Sequence, residues 1–410
     1  MPCVVLLAAA GVNAQGQAGS GQAYADRGFD HFYNLELEEA ASFYQKAIAV
    51  EPENPGFRVG LAHVRMFQHL RAAGRLDAQI YGVSNGLLPK PAPLDAKFER
   101  AMWEALGHAR AICEKRLAAN QNDAEAHYAL GLAHAVESNF HVNARGKPRD
   151  ALGPATKAKN HHQRVRELDP ANHDANFVIG GYEYAIGSVP GAFRWMLYLL
   201  GHSGSKSRGF ELIEDAIAHG KRIAPSARVT LAYFHAREKR FSRSRSVLEE
   251  LTRAYPRNQV FAMEVALSFA REGNHAAAAR AYEEVTRKFE AGAPGFGRLV
   301  APRLYFQLAA MHEHAKQYPQ AAAAYEKALA AFDRADSTPH SSPGPARSDS
   351  PSPAASSPPL ARLRAHVLLR LGSILAVVGD KARARLLLGE AAASPYSEVS
   401  RAATRRLKNL

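Results

Sequence analysis

Residues 225–258, PSARVTLAYFHAREKRFSRSRSVLEELTRAYPRN, run without a gap into residues 259–292, QVFAMEVALSFAREGNHAAAARAYEEVTRKFEAG. Both stretches are 34 residues long, and they align position for position. Leu231-Ala232 in the first answers Val265-Ala266 in the second, and Ser244, Leu248 and Leu251 answer Ala278, Tyr282 and Val285. Offsets of three and four place each of these sets on one face of a helix. The unit is therefore two helices joined by a short turn, written twice.

The same register recurs along the chain. It appears as Ala40, Tyr44 and Ala47 before Pro52, and as Ala158, His162 and Val165 before Pro170. It returns as Ala321, Tyr325 and Ala328, and again as Ala384, Leu388 and Ala391. Ahead of most of these stands a large residue beside a small one: Leu130-Gly131, Ile179-Gly180, Leu308-Ala309 and Leu371-Gly372. A Gly or Ala lets the paired helix approach, and the larger ring or branched chain fills the space beyond it. Pro52, Pro170 and Pro256 fall where a residue without an N–H cannot continue a helix. A single pair leaves one apolar face uncovered, so neighbours must stack to bury it.

This pattern resembles the tetratricopeptide repeat, whose unit is 34 residues. The resemblance implies an all-α, right-handed superhelical solenoid of antiparallel helix pairs. Pairs are expected at 21–54, 95–137, 155–187, 207–258, 259–292, 302–335 and 365–398. The solenoid spans 15–335, and residues 360–410 add a helix pair and a polar capping helix from Ser397, carrying Arg401, Arg405, Arg406 and Lys408. Three insertions break the period: 81–94, rich in Gly and Pro; 138–154, a loop with His141, Arg145, Lys147 and Arg149; and 188–206. The last contains Phe-Arg-Trp-Met-Leu-Tyr-Leu-Leu at 193–200. It is too short to span a bilayer. It either packs back as local core, the expected outcome, or stands out as an interfacial helix or peptide dock. An insertion of this kind resembles one in exported bacterial tetratricopeptide proteins. Residues 336–359 are Ser- and Pro-rich, with too few apolar residues to offset ordering entropy, and read as a disordered linker.

Composition sets the remaining limits. A chain of 410 residues with 47% hydrophobic and 22% charged residues is ordinary for a folded soluble array. The formal net charge of +13 favours acidic partners or anionic surfaces, although the basic residues are spread along the chain. Cys3 and Cys113 make no disulfide framework, and Cys113 reads as a buried, inert thiol. Residues 4–12 form a short apolar run before Val12-Asn13-Ala14, a small-x-small cleavage pattern. Residues 1–14 are thus expected to be a signal peptide lacking its positive n-region, with a periplasmic or envelope destination and a cytoplasmic alternative.

No catalytic constellation emerges, so the chain is expected not to be an enzyme and to need no cofactor. Gly201-His-Ser-Gly204-Ser-Lys206-Ser207 ends like a phosphate loop, but its glycines are wrongly spaced and no strand precedes it. His161-His162 and His312-Glu313-His314 cannot chelate one ion from a regular helix, so no metal site is expected. Arg237, Lys239, Arg240, Arg243 and Arg245 cluster around Phe241, yet no nucleic-acid module accompanies them, and specific nucleic-acid binding is not expected. In the tetratricopeptide family, first helices line a concave peptide-binding face. Carried over, the inward positions hold Tyr128, Phe177, Tyr184, Tyr233, Arg237, Met263, Arg271, Phe306 and His314, with inter-repeat core as the alternative for each. Chaperone-binding relatives hold a terminal carboxylate with Lys and Asn; the corresponding residues here, Tyr128 and Leu132 among them, argue against such a clamp. The expected function is a protein- or peptide-binding scaffold. The alternative is an envelope or membrane-surface adaptor in peripheral contact through 193–200 and the basic surface.

Overall fold

The computed structural model describes residues 19–73, 76, 95–337 and 358–410. The expected signal peptide, the 81–94 insertion and most of the Ser/Pro linker lie outside the described residues. Among those described, the chain forms eighteen α-helices, one short 3₁₀ turn and no strand. They fall into two compact units that divide after Asn258.

The first unit contains α1 (Gly21–Tyr33), α2 (Leu37–Val50), α3 (Pro55–Ala72), α4 (Ala96–Ala119), α5 (Ala124–Asn143), α6 (Leu152–Leu168), α7 (Ala175–Gly187), α8 (Gly191–Leu199), α9 (Lys206–His219), α10 (Ala224–Arg237) and α11 (Phe241–Ala254). Apart from α8, each helix packs on its neighbours in sequence, and α7 packs directly on α9. Helix α3 is absent from the expected pairs. It is buried on most of its circumference and includes the polar His63, Gln68 and His69 in its interior, so it shows no clean apolar stripe. Residues 138–143, expected as loop, continue α5, and the connection begins only after Asn143.

Small residues set the helix spacing. A Cβ on Gly131 of α5 would run into the imidazole of His162 on α6, and one on Gly60 of α3 into the ring of Tyr44 on α2. Both rings are buried. The turns between paired helices also repeat. In the first unit, Leu35 and Lys239 adopt left-handed backbone with φ of 58°. Each is followed by a residue whose N–H bonds back across the helix end: Glu36 N to His31 O, and Arg240 N to His235 O, both 2.8 Å. This is the Schellman arrangement, which satisfies carbonyls the helix leaves open.

The ends of this unit meet. The Tyr33 ring at the end of α1 stacks on Tyr255 beyond α11, with centroids 4.9 Å apart, and its hydroxyl shares a hydrogen bond with Ser226. Asn258 Nδ2 donates to Tyr33 O at 2.6 Å. Arg257 binds Glu36 at 2.9 Å and Asp30 at 2.8 Å. The first unit is thus closed by a joint between segments more than two hundred residues apart in sequence.

The second unit contains α12 (Gln259–Arg271), α13 (His275–Glu290), α14 (Ala301–His314), α15 (Tyr318–Ser337), α16 (Pro358–Val378), α17 (Lys381–Ala392) and α18 (Ser397–Lys408). Its turns use Gly273, Lys316 and Gly379 at the left-handed position. One core joins Met263, Tyr282, Phe296, Tyr325 and Phe332 to Leu360, Leu363, Val367 and Leu371, so α16 packs with the helices before the linker. Arg370 reinforces that contact with a 2.9 Å ion pair to Glu313. A Cβ on Gly372 would meet Leu388 Cγ at 2.9 Å, the same small-to-large device as in the first unit. Helix α18 buries Val399 and Ala403 and exposes Arg401 and Arg405. No described helix is long and apolar enough to cross a membrane.

Candidate functional site

The residues assigned to an inward stripe divide by burial. Phe177, Tyr184, Met263 and Phe306 are packed between helices and offer little surface to a partner. Arg237, Arg271 and His314 are exposed, and Tyr233 is half-buried. Arg237 donates to the Tyr233 hydroxyl at 3.3 Å, one turn back on α10. Arg271 pairs with Glu264 at 3.0 Å, and the His314 ring stacks on His275.

Tyr184 belongs to an aromatic knot with Phe234 and Phe210. Its ring stacks on Phe234 at 3.6 Å, and Phe210 meets both edge-on. Its hydroxyl donates to Glu238, whose carboxyl the Lys206 ammonium at 2.7 Å holds below the usual range. Arg237 and Arg240 lie over the Tyr184 and Phe210 rings, at 5.9 and 5.2 Å. The basic cluster is therefore anchored on aromatic faces, leaving Lys239 and Arg243 exposed beside it.

Tyr128 has a different setting. It lines a 510 Å³ cavity in the first unit, formed by the α2–α3 turn at 51–56, Arg116 of α4, Leu132 of α5, and Arg222 before α10. Burial pushes its phenol well above the ordinary value, and the hydroxyl has no hydrogen-bond partner among the described residues. Arg222 pairs with Glu125 at 3.2 Å and Arg116 with Asp123 at 2.8 Å, so the wall carries both signs of charge.

Helix α8 provides the largest departure from expectation. The 193–200 segment does not pack as local core. It buries no residue: Trp195 is 62% exposed, Tyr198 71% and Leu199 72%, with Phe193, Met196 and Leu200 also open. The reason lies at the base of the insertion. Gly187 and Gly204 allow the backbones at 187 and 205–206 to touch, since a Cβ on Gly187 would meet Lys206 N at 2.7 Å. Ser205 N donates to Glu183 at 3.0 Å, and the Tyr182 hydroxyl lies 2.8 Å from His202 Nδ1. The chain leaves and returns at one pinched point, and α7 and α9 pack as a continuous pair across it. No core position remains for α8.

At the C-terminal end of α9 the structure assembles a group that sequence spacing does not reveal. His173, in the turn before α7, lies with Nδ1 2.7 Å from Asp215 Oδ2 on α9. His219, one turn further along α9, lies with Nδ1 3.1 Å from Asp215 Oδ1. Asn176 donates to Asp215 at 2.5 Å and accepts from Arg166 at 2.8 Å. Burial works against it, yet the hydrogen bonds from His173 and Asn176 bring the Asp215 carboxyl below its usual range. Only Asp215-x3-His219 is a local signal, and one such pair is weak by itself. Cys113 is buried and unpaired, its thiol pushed up by burial to about 12. That removes it as a nucleophile.

The family comparison agrees with this architecture. Residues 263–336 match the tetratricopeptide repeat family. No curated protein sequence matches the chain. Among solved structures, yeast Tom70 is similar at 12% identity and a TM-score of 0.38, with 94% of each chain covered. A thermophilic TPR protein of Thermus thermophilus is similar at 12% identity and 0.34, covering 61% of this chain and all of its own. Human IFIT1, solved as a dimer with PPP-AAAA, is similar at 13% identity and 0.35, covering 96% of this chain and 86% of its own. With the 34-residue register, the recurring Schellman turns and the small-to-large helix contacts in place, residues 263–336 are tetratricopeptide repeats, and the other described helices pack by the same devices.

Proposed function

We propose that this chain is a non-catalytic scaffold that holds a protein or peptide partner, with α8 as its principal apolar contact. The observation that carries this reading is the exposure of six large apolar side chains on one short helix and its C-cap, held out by a pinched base. Contiguous apolar surface of this kind marks a contact site, because leaving it in water gains nothing for the fold. Aromatic anchors such as Trp195 and Tyr198 dominate interface energetics when covered. The inner surface is the second contact: Tyr128 in the 510 Å³ cavity, and Tyr233 with Arg237.

The test is site-directed photocrosslinking in the native cell, with the reactive group at 195 or at 233. A discrete adduct from 195 that disappears when Tyr198→Ser/Leu199→Ser is added supports the reading. Truncating a hot-spot aromatic costs about 2 kcal/mol, roughly thirtyfold in affinity. Adducts from 233 alone would move the partner to the inner surface, and adducts from neither would refute it.

A second reading, a peripheral envelope adaptor, is favoured by the same helix together with the net charge of +13. Aromatic and aliphatic residues on a short helix suit the interfacial region of an anionic bilayer. Export is part of this reading and is supported by the apolar run at 4–12. Co-sedimentation with anionic but not neutral vesicles, lost on Trp195→Ser, would select it over the protein partner.

A further inference from the structure

We infer that His173, Asp215 and His219 form a binding site for a divalent transition-metal ion of the zinc class. One nitrogen from each imidazole and one carboxylate oxygen lie within 4.8 Å of one another. Zinc binds His nitrogen at about 2.0–2.1 Å and carboxylate oxygen at about 2.0–2.2 Å, so tetrahedral ligands sit roughly 3.3 Å apart. Asp215 is already 2.7 and 3.1 Å from the two imidazoles, within a small adjustment of that spacing. An ion seated among the three takes the place of the protons now shared between the rings and the carboxylate. Two imidazoles and one carboxylate select zinc, cobalt or nickel over magnesium or calcium, which prefer all-oxygen cages.

The surroundings hold the donors in place. Asp215 and His219 are one helical turn apart on α9 and share a face. Asn176, buried, holds the carboxylate by donating to Asp215 Oδ2, the oxygen that also faces His173, while Arg166 fixes its carbonyl oxygen. This is the outer-shell support that orients ligating carboxylates. Next to His173, the Asp174 carboxylate accepts from the backbone N–H of Arg222 at 3.1 Å and of Ile223 at 3.3 Å, locking the His173 turn to the connection that follows α9. The donors thus sit on two elements already tied together. Part-exposure of His173 and Asp215, and the greater exposure of His219, give an ion access and leave a coordination position for water.

The experiment uses the full chain, stripped with a chelator and titrated with ZnCl₂ by calorimetry, then with Co²⁺ by visible absorption. We expect one tight equivalent, with micromolar or better affinity, and a cobalt spectrum of low coordination number. His219→Ala and Asp215→Asn should each abolish that equivalent. Asn176→Ala should weaken it by about tenfold to a hundredfold. His219→Cys should restore binding and add a thiolate charge-transfer band, which a merely misfolded variant cannot do. His275→Ala/His314→Ala, which alters the stacked imidazole pair of the second unit, should leave the stoichiometry unchanged. Binding only at millimolar metal, or a tight equivalent that survives both His219→Ala and Asp215→Asn, would overturn the assignment.

Discussion

Replacing Gly131 by Ala tests the packing device on which the array rests. In an exposed helix interior, Gly→Ala stabilises by about 1 kcal/mol through backbone entropy. At Gly107, on the open face of α4, an added Cβ would have nothing within 4 Å, and Ala there should show that gain. Gly131 faces the His162 ring instead. That ring is fully buried, lies 5.3 Å from Tyr128 and has its Nδ1 2.9 Å from Ala158 O, so it has nowhere to retreat. Overpacking of this kind costs about 1–3 kcal/mol. Gly131→Ala should therefore range from neutral to about 2 kcal/mol destabilising, and fall about 1–3 kcal/mol below Gly107→Ala. Both residues lie in the first unit, so one urea transition followed by far-UV circular dichroism compares them directly. Equal stabilisation by the two variants would refute the claim that glycine sets the α5–α6 distance.

Other perturbations follow from the same structure. Gly273, at φ 85°, should lose more than about 1 kcal/mol on change to Ala in thermal unfolding, whereas Lys239→Gly, at φ 58°, should be neutral or stabilising by about 1 kcal/mol. Burial lowers the His63 imidazole from 6.5 to about 3. Below pH 6.5 the unfolded chain gains a proton there that the folded chain does not. Stability complete at neutral pH is then lost as pH falls, by about 1.4 kcal/mol per pH unit. His63→Leu should flatten this slope between pH 6.5 and 4 in denaturant titrations, and be the more stable protein at pH 5. Finally, Phe306→Ala should cost about 3–5 kcal/mol in the same titrations, while Trp195→Ser, on exposed α8, should change stability by less than about 0.5 kcal/mol.

What was legible in the sequence is what is local. Partners three and four residues apart mark the packing face of each helix, and the repeat register brings those faces together on adjacent helices, as in the pairs Gly131–His162 and Gly372–Leu388. Helix α3 was not legible because burial on nearly all sides, with His63 and His69 inside, leaves no periodic stripe to detect. Assigning an inward face was harder still. First helices touch a neighbour on both flanks, and one residue step turns the side chain by about 100°. That is enough to put Phe177 and Phe306 into the core rather than the open surface. The exposure of α8 depends on the pinch at Gly187 and Gly204, and apolar composition alone reports only that a surface is costly, not what covers it. The His173–Asp215 contact spans 42 residues and comes from two elements, so no spacing rule announces it.

The joint at Tyr33 and Asn258 changes what kind of object the first unit is. An open repeat array tolerates gain or loss of a unit, because each repeat answers only to its neighbours. A closed one does not. Between residues 34 and 255 the number of helices and the angle each contributes must sum to a path that returns Tyr255 onto Tyr33 and Arg257 onto Glu36. Duplicating or deleting one helix pair there would part the two ends by about a helix diameter, roughly 10 Å. Length variation must instead leave the circuit sideways and come back to the same point. The 188–205 segment, with its touching backbones and outward helix, has that form. New surface can be added to such a protein only as a branch.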